Sequence, residues 1–491
     1  METGVHDLEL LIRSRVPIIL IETADETRAL ELFTRLAIAI GKPVMRWSVT
    51  SGLQRIDLDL QPQTHAKDPH QALGQIKATS TPGIYLLLDF HPYLEDPGHV
   101  RMIKEIALGY SESQHTLVFI SHACELPEEL RAFSARFDLA LPDQKALEAW
   151  IREEARSWSE IHPGRKVKTD DVTLDRLVRQ LGGLTESDAR RLIRNAIHDD
   201  GAITESDLPQ LTRLKYDLLD QGGALSFELD TVRFAEVGGL ARLKRWLSQR
   251  KVVFLSPDAA LDPPKGILLV GVQGGGKSLA AKAVAGLWQL PLLRLDFGTL
   301  YNKFFGETER NLRNSLRTAE AMAPCVLWVD EIEKAIASGE YDSGTSKRVL
   351  GTLLTWLAER DQPVFLVATA NRIDTLPPEL IRKGRLDEIF FVDLPDSAAR
   401  IQIFDIHLRK RGQHAQAFNL AELARHSDGF SGAEIEQAIV AALYLAREQG
   451  RPLDTGHLLS ELQQTRPLSV VMAEQIEALR DWARHRTVMA N

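Results

Sequence analysis

The sequence predicts an α/β protein in which a parallel sheet covered by helices, followed by a run of helices, occurs twice. Three observations carry this. In both halves of the 491 residues, short continuous apolar runs end in polar or acidic residues and alternate with helix-like segments. Parallel strands covered on both faces read this way. Each such region is followed by a stretch where strands vanish and amphipathic helical spacing takes over. Short strings also recur in the same order in the two halves, as a degenerate duplication would leave them.

In chain order, 17–21 reads as a buried strand, 24–40 as a helix and 44–49 as a second strand. Segments 83–88, ending at Asp89, and 116–121 complete a parallel α/β layer. From Gln144 to about Leu214 the periodicity is helical, for example over 174–181 and 187–197. Gly222-Gly223 then marks a linker, a second α/β run spans about 234–396, and helices close the chain. Leu126-Pro127-Glu128-Glu129-Leu130, Arg136-Phe137-Asp138 and Leu141-Pro142-Asp143 echo Leu376-Pro377-Pro378-Glu379-Leu380, Arg385-Leu386-Asp387 and Leu394-Pro395-Asp396. Gly183-Leu184-Thr185-Glu186-Ser187-Asp188 echoes Gly429-Phe430-Ser431-Gly432-Ala433-Glu434, and both strings predict a helix opened by a capping box or a near variant of it. Two unrelated α/β units with ordinary capped helices account for the same strings less economically.

Acidic residues (68) outnumber basic ones (59), for a net charge of −9, and no basic stretch is interleaved with aromatics. A nucleic-acid partner is therefore not expected. Cys124 and Cys325 match no metal or disulfide spacing, which fits a reducing, cytoplasmic setting. Residues 1–15 lack the apolar core of a signal peptide, and runs such as 84–88 are too short to span a bilayer, so no membrane insertion is expected.

The chemistry gathers in the second half. Gly271-Val272-Gln273-Gly274-Gly275-Gly276-Lys277-Ser278 follows an apolar strand (267–270) and opens a helix (277–288). Strand, glycine loop and helix together turn backbone N–H groups around a phosphate chain. Lys277 would reach the outer phosphates and Ser278 would hold magnesium. A second apolar strand, 326–329, ends in Asp330-Glu331. Phosphoryl transfer to water needs a carboxylate at the metal and another near the attacking water, and Asp330 and Glu331 suit these tasks. A third strand, 364–368, leads into Asn371, whose amide can position the water or the γ-phosphate; an Asx-turn accounts for it equally. In the first half the equivalent loop reads Glu22-Thr23-Ala24-Asp25-Glu26, with neither glycine nor lysine and with three carboxylates. Asp89-Phe90 stands where the second half has Asp330-Glu331. That copy is expected to be catalytically dead.

With these residues in view, the second half resembles the AAA family of ATPases. The resemblance rests on Val237-Gly238-Gly239-Leu240, Pro263-Pro264-Lys265-Gly266, the glycine loop, Asp330-Glu331, Asn371 and Leu380-Ile381-Arg382-Lys383-Gly384-Arg385-Leu386-Asp387. It covers about 234 to the C-terminus. Asp342-Ser343-Gly344-Thr345, with 382–395, is most similar to a subgroup named for hypothetical chloroplast open reading frame forty-six, which also has a degenerate N-terminal half.

The fold implied is a P-loop AAA module, a parallel sheet with helices and a helical lid, preceded by a degenerate AAA-like α/β domain with its own lid. The expected division is 1–143 and 144–215 for the first copy, 216–233 for a linker, and 234–396 and 397–491 for the second. The ligands implied are ATP and Mg2+. The nucleotide set is Val237, Gly238, Gly271, Gly274, Gly275, Gly276, Lys277, Ser278, Leu279, His407, Gly432 and Ala433, with Ser278 and Asp330 at the metal. Arg382 and Arg385 resemble the family's arginine fingers, which enter a neighbouring subunit's site. Phe304-Phe305-Gly306 resembles the loop that grips polypeptide in the central pore, although a Phe-Phe pair is also what a core contains. Val272-Gln273 and Gly275 depart from the Pro-Pro and threonine frequent in the family, leaving the loop less pre-ordered. The resemblance implies a homo-oligomer, a hexameric ring that hydrolyses ATP and remodels or threads a protein client. A nucleotide-gated switch or assembly scaffold with slow turnover is the alternative.

Overall fold

The computed structural model describes residues 2–23, 25–56, 66–122, 124–139, 141–198, 201–219, 224–228, 236–255, 261–302, 308–335, 343–372, 376, 378–381 and 384–491. They form two compact units, one of 1–166 with 184–198 and the other of 167–183 with 199–491. The helical stretch expected over 144–215 is thus shared between them. Helices Gln144–Ile161 and Glu186–His198 belong to the first unit, and Asp171–Leu181 and Leu208–Leu219 to the second.

The first unit holds a six-stranded sheet: β1 (Ile18–Glu22), β2 (Val44–Ser48), β3 (Gly52–Arg55), β4 (Ile84–Leu88), β5 (Thr116–Ser121) and β6 (Ser134–Arg136). Their order is β3-β2-β4-β5-β1-β6. β4 and β5 are buried along their whole length, as their unbroken apolar sequences require. Successive residues face opposite layers. Leu87 and Phe119 meet Leu73 and Ile103 on one face, while Leu86 and Val118 meet Leu8, Phe33 and Leu36 on the other. The layer is not wholly parallel, because β3 runs antiparallel to β2. Only a tight turn joins them, in which Ser51 N–H donates to Ser48 Oγ at 3.2 Å, and so short a link cannot make a crossover.

The second unit holds β7 (Leu225–Glu228), β8 (Gly266–Gly271), β9 (Leu292–Leu295), β10 (Cys325–Val329), β11 (Val364–Ala370), β12 (Glu388–Val392) and β13 (Val488–Met489). The order is β13-β12-β8-β11-β10-β9-β7, with only the β7–β9 pair antiparallel. Its parallel core, β12-β8-β11-β10-β9, repeats β6-β1-β5-β4-β2 of the first sheet strand for strand. The helix Lys277–Trp288 buries Ala280, Ala281, Ala283, Val284 and Ala285, and these small side chains let it lie close on β10 and β11. Its partners in that layer include Ile267, Val326, Trp328 and Phe365. Helices Ser397–Lys410, Leu420–His426, Gly432–Glu448 and Thr455–Gln464 enclose a separate small core of Phe404, Leu408, Phe430, Ile435 and Leu458.

The paired helix starts read from the sequence both occur. Ser431 and Glu434 form a full capping box. Thr185 Oγ accepts from Asp188 N–H at 3.3 Å and donates to the Asp188 carboxylate at 2.8 Å, the near variant. Among the described residues no helix is long and apolar enough to cross a membrane.

Candidate nucleotide site

The site grows from the end of β8. A Cβ on Gly271 would lie 2.0 Å from Val392 O, so no larger residue fits where β8 passes β12. Gly274 has φ +76°, and a Cβ there would stand 2.9 Å from Ser431 Oγ at the start of a lid helix. The loop is tied down by Val272 N–H donating to Val392 O and Gly275 N–H donating to Val272 O, each at 3.1 Å. Gly276 is the N-cap of the helix 277–288 and supplies no side chain to it. The first N–H groups of that helix therefore lack a side-chain cap, which is the condition for an anion site. Lys277 is 6% exposed. Its Nζ donates to Gly271 O and Val272 O at 2.9 Å each. Burial pushes its pKa down to about 8, against the opposing pull of Glu333, Asp330 and Glu331.

The acids arrive from β10 and are held by the end of β11. Asp330 Oδ1 accepts from Thr369 Oγ at 2.6 Å and from Ser278 Oγ at 3.3 Å. Thr369 Oγ in turn accepts Glu331 N–H at 2.9 Å, so one hydroxyl sets both acids. Glu331 has φ +50°, an uncommon conformation for a residue with a Cβ, and it re-aims the side chain at the strand end. Its Oε1 accepts from Asn371 Nδ2 at 2.8 Å, and its Oε2 pairs with Lys334. Lys277, Ser278, Asp330, Glu331 and Asn371, far apart in sequence, thus converge at the C-terminal ends of β8, β10 and β11, where open parallel sheets bind ligands. Ser278 Oγ and the Asp330 carboxylate form a hard oxygen pair. Among the described residues no group of three or more His, Cys, Asp or Glu could hold a metal by itself. As hard oxygen donors, the two fit magnesium, which keeps waters and phosphate oxygens and takes few protein ligands.

Around the loop lie the positions expected at the nucleoside. Val237 is buried, and its carbonyl accepts from Lys244 Nζ at 2.7 Å. A Cβ on Gly238 would be 2.6 Å from Ile403 Cγ1, so this strip lies hard against the helix Ser397–Lys410. That helix carries His407, whose Nδ1 is 3.3 Å from Glu436 Oε1 and whose pKa is pushed down, chiefly by burial. Gly432 and Ala433 open the lid helix beside Gly274, Ala433 Cβ lying 3.7 Å from where a Gly274 Cβ would be. Leu279 is partly buried against the layer beneath the helix 277–288. Arg385 is partly exposed in the turn before β12, and its Nη1 donates to Glu379 O at 2.7 Å. Arg382 and the Phe304-Phe305-Gly306 loop lie outside the described residues.

Sequence reasoning missed several groups. Thr369 bridges the two acids, and Glu333, from the same acidic string, accepts Asn371 N–H at 2.8 Å. Arg294 Nη2 stands 3.8 Å from Asp330 Oδ2. At the far end of the chain, Ala490 O accepts N–H groups from Arg242 and Leu243 at 3.1 Å, and Asn491 Oδ1 accepts Leu240 N–H at 2.5 Å. No local signal points to that last clasp.

With the loop, the paired acids and the lid in place, the comparisons fall into line. Residues 267–394 match the "ATPase family associated with various cellular activities (AAA)" and 417–460 the "AAA+ lid domain". Residues 5–139 and 145–222 match the N-terminal and second domains of the SpoVK-like AAA ATPases. A protein of Guillardia theta named "Uncharacterized AAA domain-containing protein ycf46" is 37% identical over 98% of this chain and 94% of its own length. This chain belongs to the AAA family. Membership of the AAA ATPases carries nucleotide binding and, across the family, ATP hydrolysis. The AAA module is also similar to the proteasome-activating nucleotidase of Aeropyrum pernix, 40% identical over 45% of this chain and 57% of that protein. The chain is similar as well to the cell division cycle protein 48 homolog of Archaeoglobus fulgidus, 32% identical over 65% of this chain and 46% of that protein.

Proposed function

We propose that this AAA protein hydrolyses ATP at one site per chain and acts as an oligomeric ring on a protein client in a reducing compartment. The observation that carries the enzymatic part is the Glu331 carboxylate, gripped by Asn371 beside the Ser278–Asp330 pair and in front of the buried Lys277. Backbone N–H groups of the loop and the Lys277 ammonium bind the outer phosphates. Ser278 and Asp330 hold magnesium, which when bound neutralises phosphate charge. Glu331 orients the attacking water and takes its proton, and Asn371 keeps that carboxylate aimed. Val237, Gly238, His407, Gly432 and Ala433 border the nucleoside.

Arg382 and Arg385 complete a neighbouring subunit's site. The partial exposure of Arg385, and its anchoring by the nearby Glu379 carbonyl, suit a side chain that serves another chain. The likeness to a proteasome-activating nucleotidase and a cell division cycle protein 48 homolog supports a protein client, with Phe304 to Gly306 as the grip. A second reading, a nucleotide-gated switch with slow turnover, is favoured by one contact. Lys334 holds the second oxygen of Glu331, so both oxygens are engaged before any water arrives. Client-stimulated turnover that needs Phe304 supports the ring. Slow turnover with ATP-dependent assembly, indifferent to Phe304, supports the switch.

The test of the site is a pair of substitutions. Lys277→Ala abolishes ATP binding in calorimetry. Glu331→Gln keeps binding and loses on the order of 10²–10⁴ in turnover, because an amide takes no proton. Undiminished hydrolysis in Glu331→Gln sinks the assignment of the base.

A further inference from the structure

Glu333 touches none of the groups given a part in hydrolysis except through one backbone N–H, yet it is the most enclosed acid near them. It sits on the short turn Ile332–Ala335 after Glu331, and it is 8% exposed. Its Oε1 accepts Asn371 N–H at 2.8 Å. The Asn371 side chain donates to Glu331 Oε1, also at 2.8 Å. A closed ring of contacts results: Glu331 to the Asn371 amide, through the Asn371 backbone to Glu333, and back along two peptide units to Glu331. The ring adds to the direct pairing of β10 with β11 and to the Thr369 bridge, joining β10 through its acids and β11 through its asparagine.

The second oxygen of Glu333 carries the argument further. Oε2 is buried and, among the described residues, no hydrogen bond of ordinary geometry reaches it, although the N–H groups of Glu333 itself and of Arg372 lie near the carboxylate. A buried carboxyl oxygen without a partner is costly, so its presence calls for a reason. A glutamate here has the length to reach across to β11. Burial, and after it the neighbouring Glu331 charge, push its pKa upward.

We propose that Glu333 is a positioning residue: through Oε1 it fixes the backbone of Asn371, and Asn371 thereby holds Glu331 in line with the attacking water. The proposal rests on the reading of Glu331 as the base. What Glu333 must supply is one acceptor at the right reach, not a charge. Two glutamates two residues apart are thus expected to answer the same change in opposite ways. Glu331→Gln is inactive, whereas Glu333→Gln keeps its acceptor and stays within about threefold of wild type in kcat. Glu333→Met has similar length and no acceptor; its kcat falls by roughly 10- to 100-fold while KM for ATP changes little.

The experiment is steady-state ATP hydrolysis by the full chain carrying Glu333→Gln, Glu333→Met, Asn371→Ala and Asn371→Ala with Glu333→Met, alongside Glu331→Gln. The expected result is near-normal kcat in Glu333→Gln, a loss in kcat alone in Glu333→Met, and a double variant no slower than Asn371→Ala. That non-additivity follows because, without the amide, there is nothing left for Glu333 to aim. Three outcomes overturn the proposal: Glu333→Gln as slow as Glu333→Met, KM rising in step with the loss, or full additivity with Asn371→Ala. The first would mean that charge matters, the second that Glu333 acts at Lys277, and the third that it acts elsewhere in the fold. If Glu333→Met is misfolded by thermal unfolding, the comparison of Glu333→Gln with Glu331→Gln still decides. Full turnover in Glu331→Gln would instead overturn the base itself, a result distinct from failure of the present inference.

Discussion

The two sheets share a strand order and part company at a single helix start. In the second, the helix after β8 begins at Gly276, which offers it no side chain. In the first, the helix Glu26–Ile40 after β1 begins at Asp25, whose carboxylate accepts Arg28 N–H at 3.2 Å. The other Asp25 oxygen accepts Glu186 N–H at 3.4 Å, at the start of the helix that matches the second copy's lid helix. Asp25 is 9% exposed. The neighbouring groups are likewise satisfied from within, Glu22 pairing with Arg136 and accepting Cys124 N–H at 3.3 Å. The first copy meets its helix start with a carboxylate of its own chain, and the second leaves the same place to a ligand. One architecture therefore yields a binding site or a self-contained strut, according to whether a side chain or a phosphate is left to answer the same N–H groups.

The arginines test that comparison most severely. Arg136 pairs with Glu22, an acid of its own unit, whereas Arg385, its counterpart in sequence, donates to the Glu379 carbonyl. Removing Arg382 and Arg385 together should lower turnover by about 10³–10⁵, while Arg136→Ala should leave it nearly unchanged. Mixing the double arginine variant with Glu331→Gln should restore measurable hydrolysis, because some junctions then pair an intact base with intact arginines. Equal losses from the two arginine sites would erase the distinction between the copies.

Lys277 gives a second handle. In the free protein its pKa is lowered to about 8, so the unfolded chain binds the proton more strongly. The contribution of this group to stability therefore rises with pH from about 8 toward the ordinary lysine value, and it is least favourable below 8. Phosphate binding reverses the shift, so ATP binding near pH 8–9 should take up protons. Calorimetry in buffers of different ionisation enthalpy measures the uptake, and the Lys277 share of it should fade as the pH falls well below 8, where the ammonium is already protonated.

On the other side of the comparison, Asp25→Ala removes a cap and should cost about 0.5–2 kcal/mol in denaturant unfolding, with the ATP stoichiometry still one per chain. A second ATP bound by that variant would mean that the carboxylate alone had closed the first site. The smallest effect expected is at Lys334. Its ion pair with Glu331 is largely exposed, so Lys334→Ala should change kcat by less than about threefold. A larger rise would favour the slow-switch reading.

How much of this was legible in sequence follows from burial. β4, β5, β8, β10 and β11 are continuous apolar runs because helices cover both their faces, and such runs are visible one residue at a time. The short strands were not. β6 is Ser-Ala-Arg and β13 is two residues long, so neither carries a pattern, and only neighbouring strands give them their conformation. The site divides the same way. Lys277 and Ser278 sit in a contiguous string, and Asp330 and Glu331 at a strand end, so local spacing exposes them. Thr369 as a bridge and Glu333 as a staple exist only once β10 and β11 are side by side.

The clasp at the chain's last residues has a mechanical consequence. β13 is a two-residue strand on β12, and beyond it Ala490 and Asn491 hold N–H groups of Leu240, Arg242 and Leu243. A pull at Asn491 directed away from the sheet peels those few bonds first, and they then load like the teeth of a zipper, one after another. The sheet behind them, paired along β12, β8 and β11, carries load only after they part. The strip from Val237 to Leu240 is therefore the element that a pull on this end slackens first, ahead of the phosphate loop and ahead of the acids.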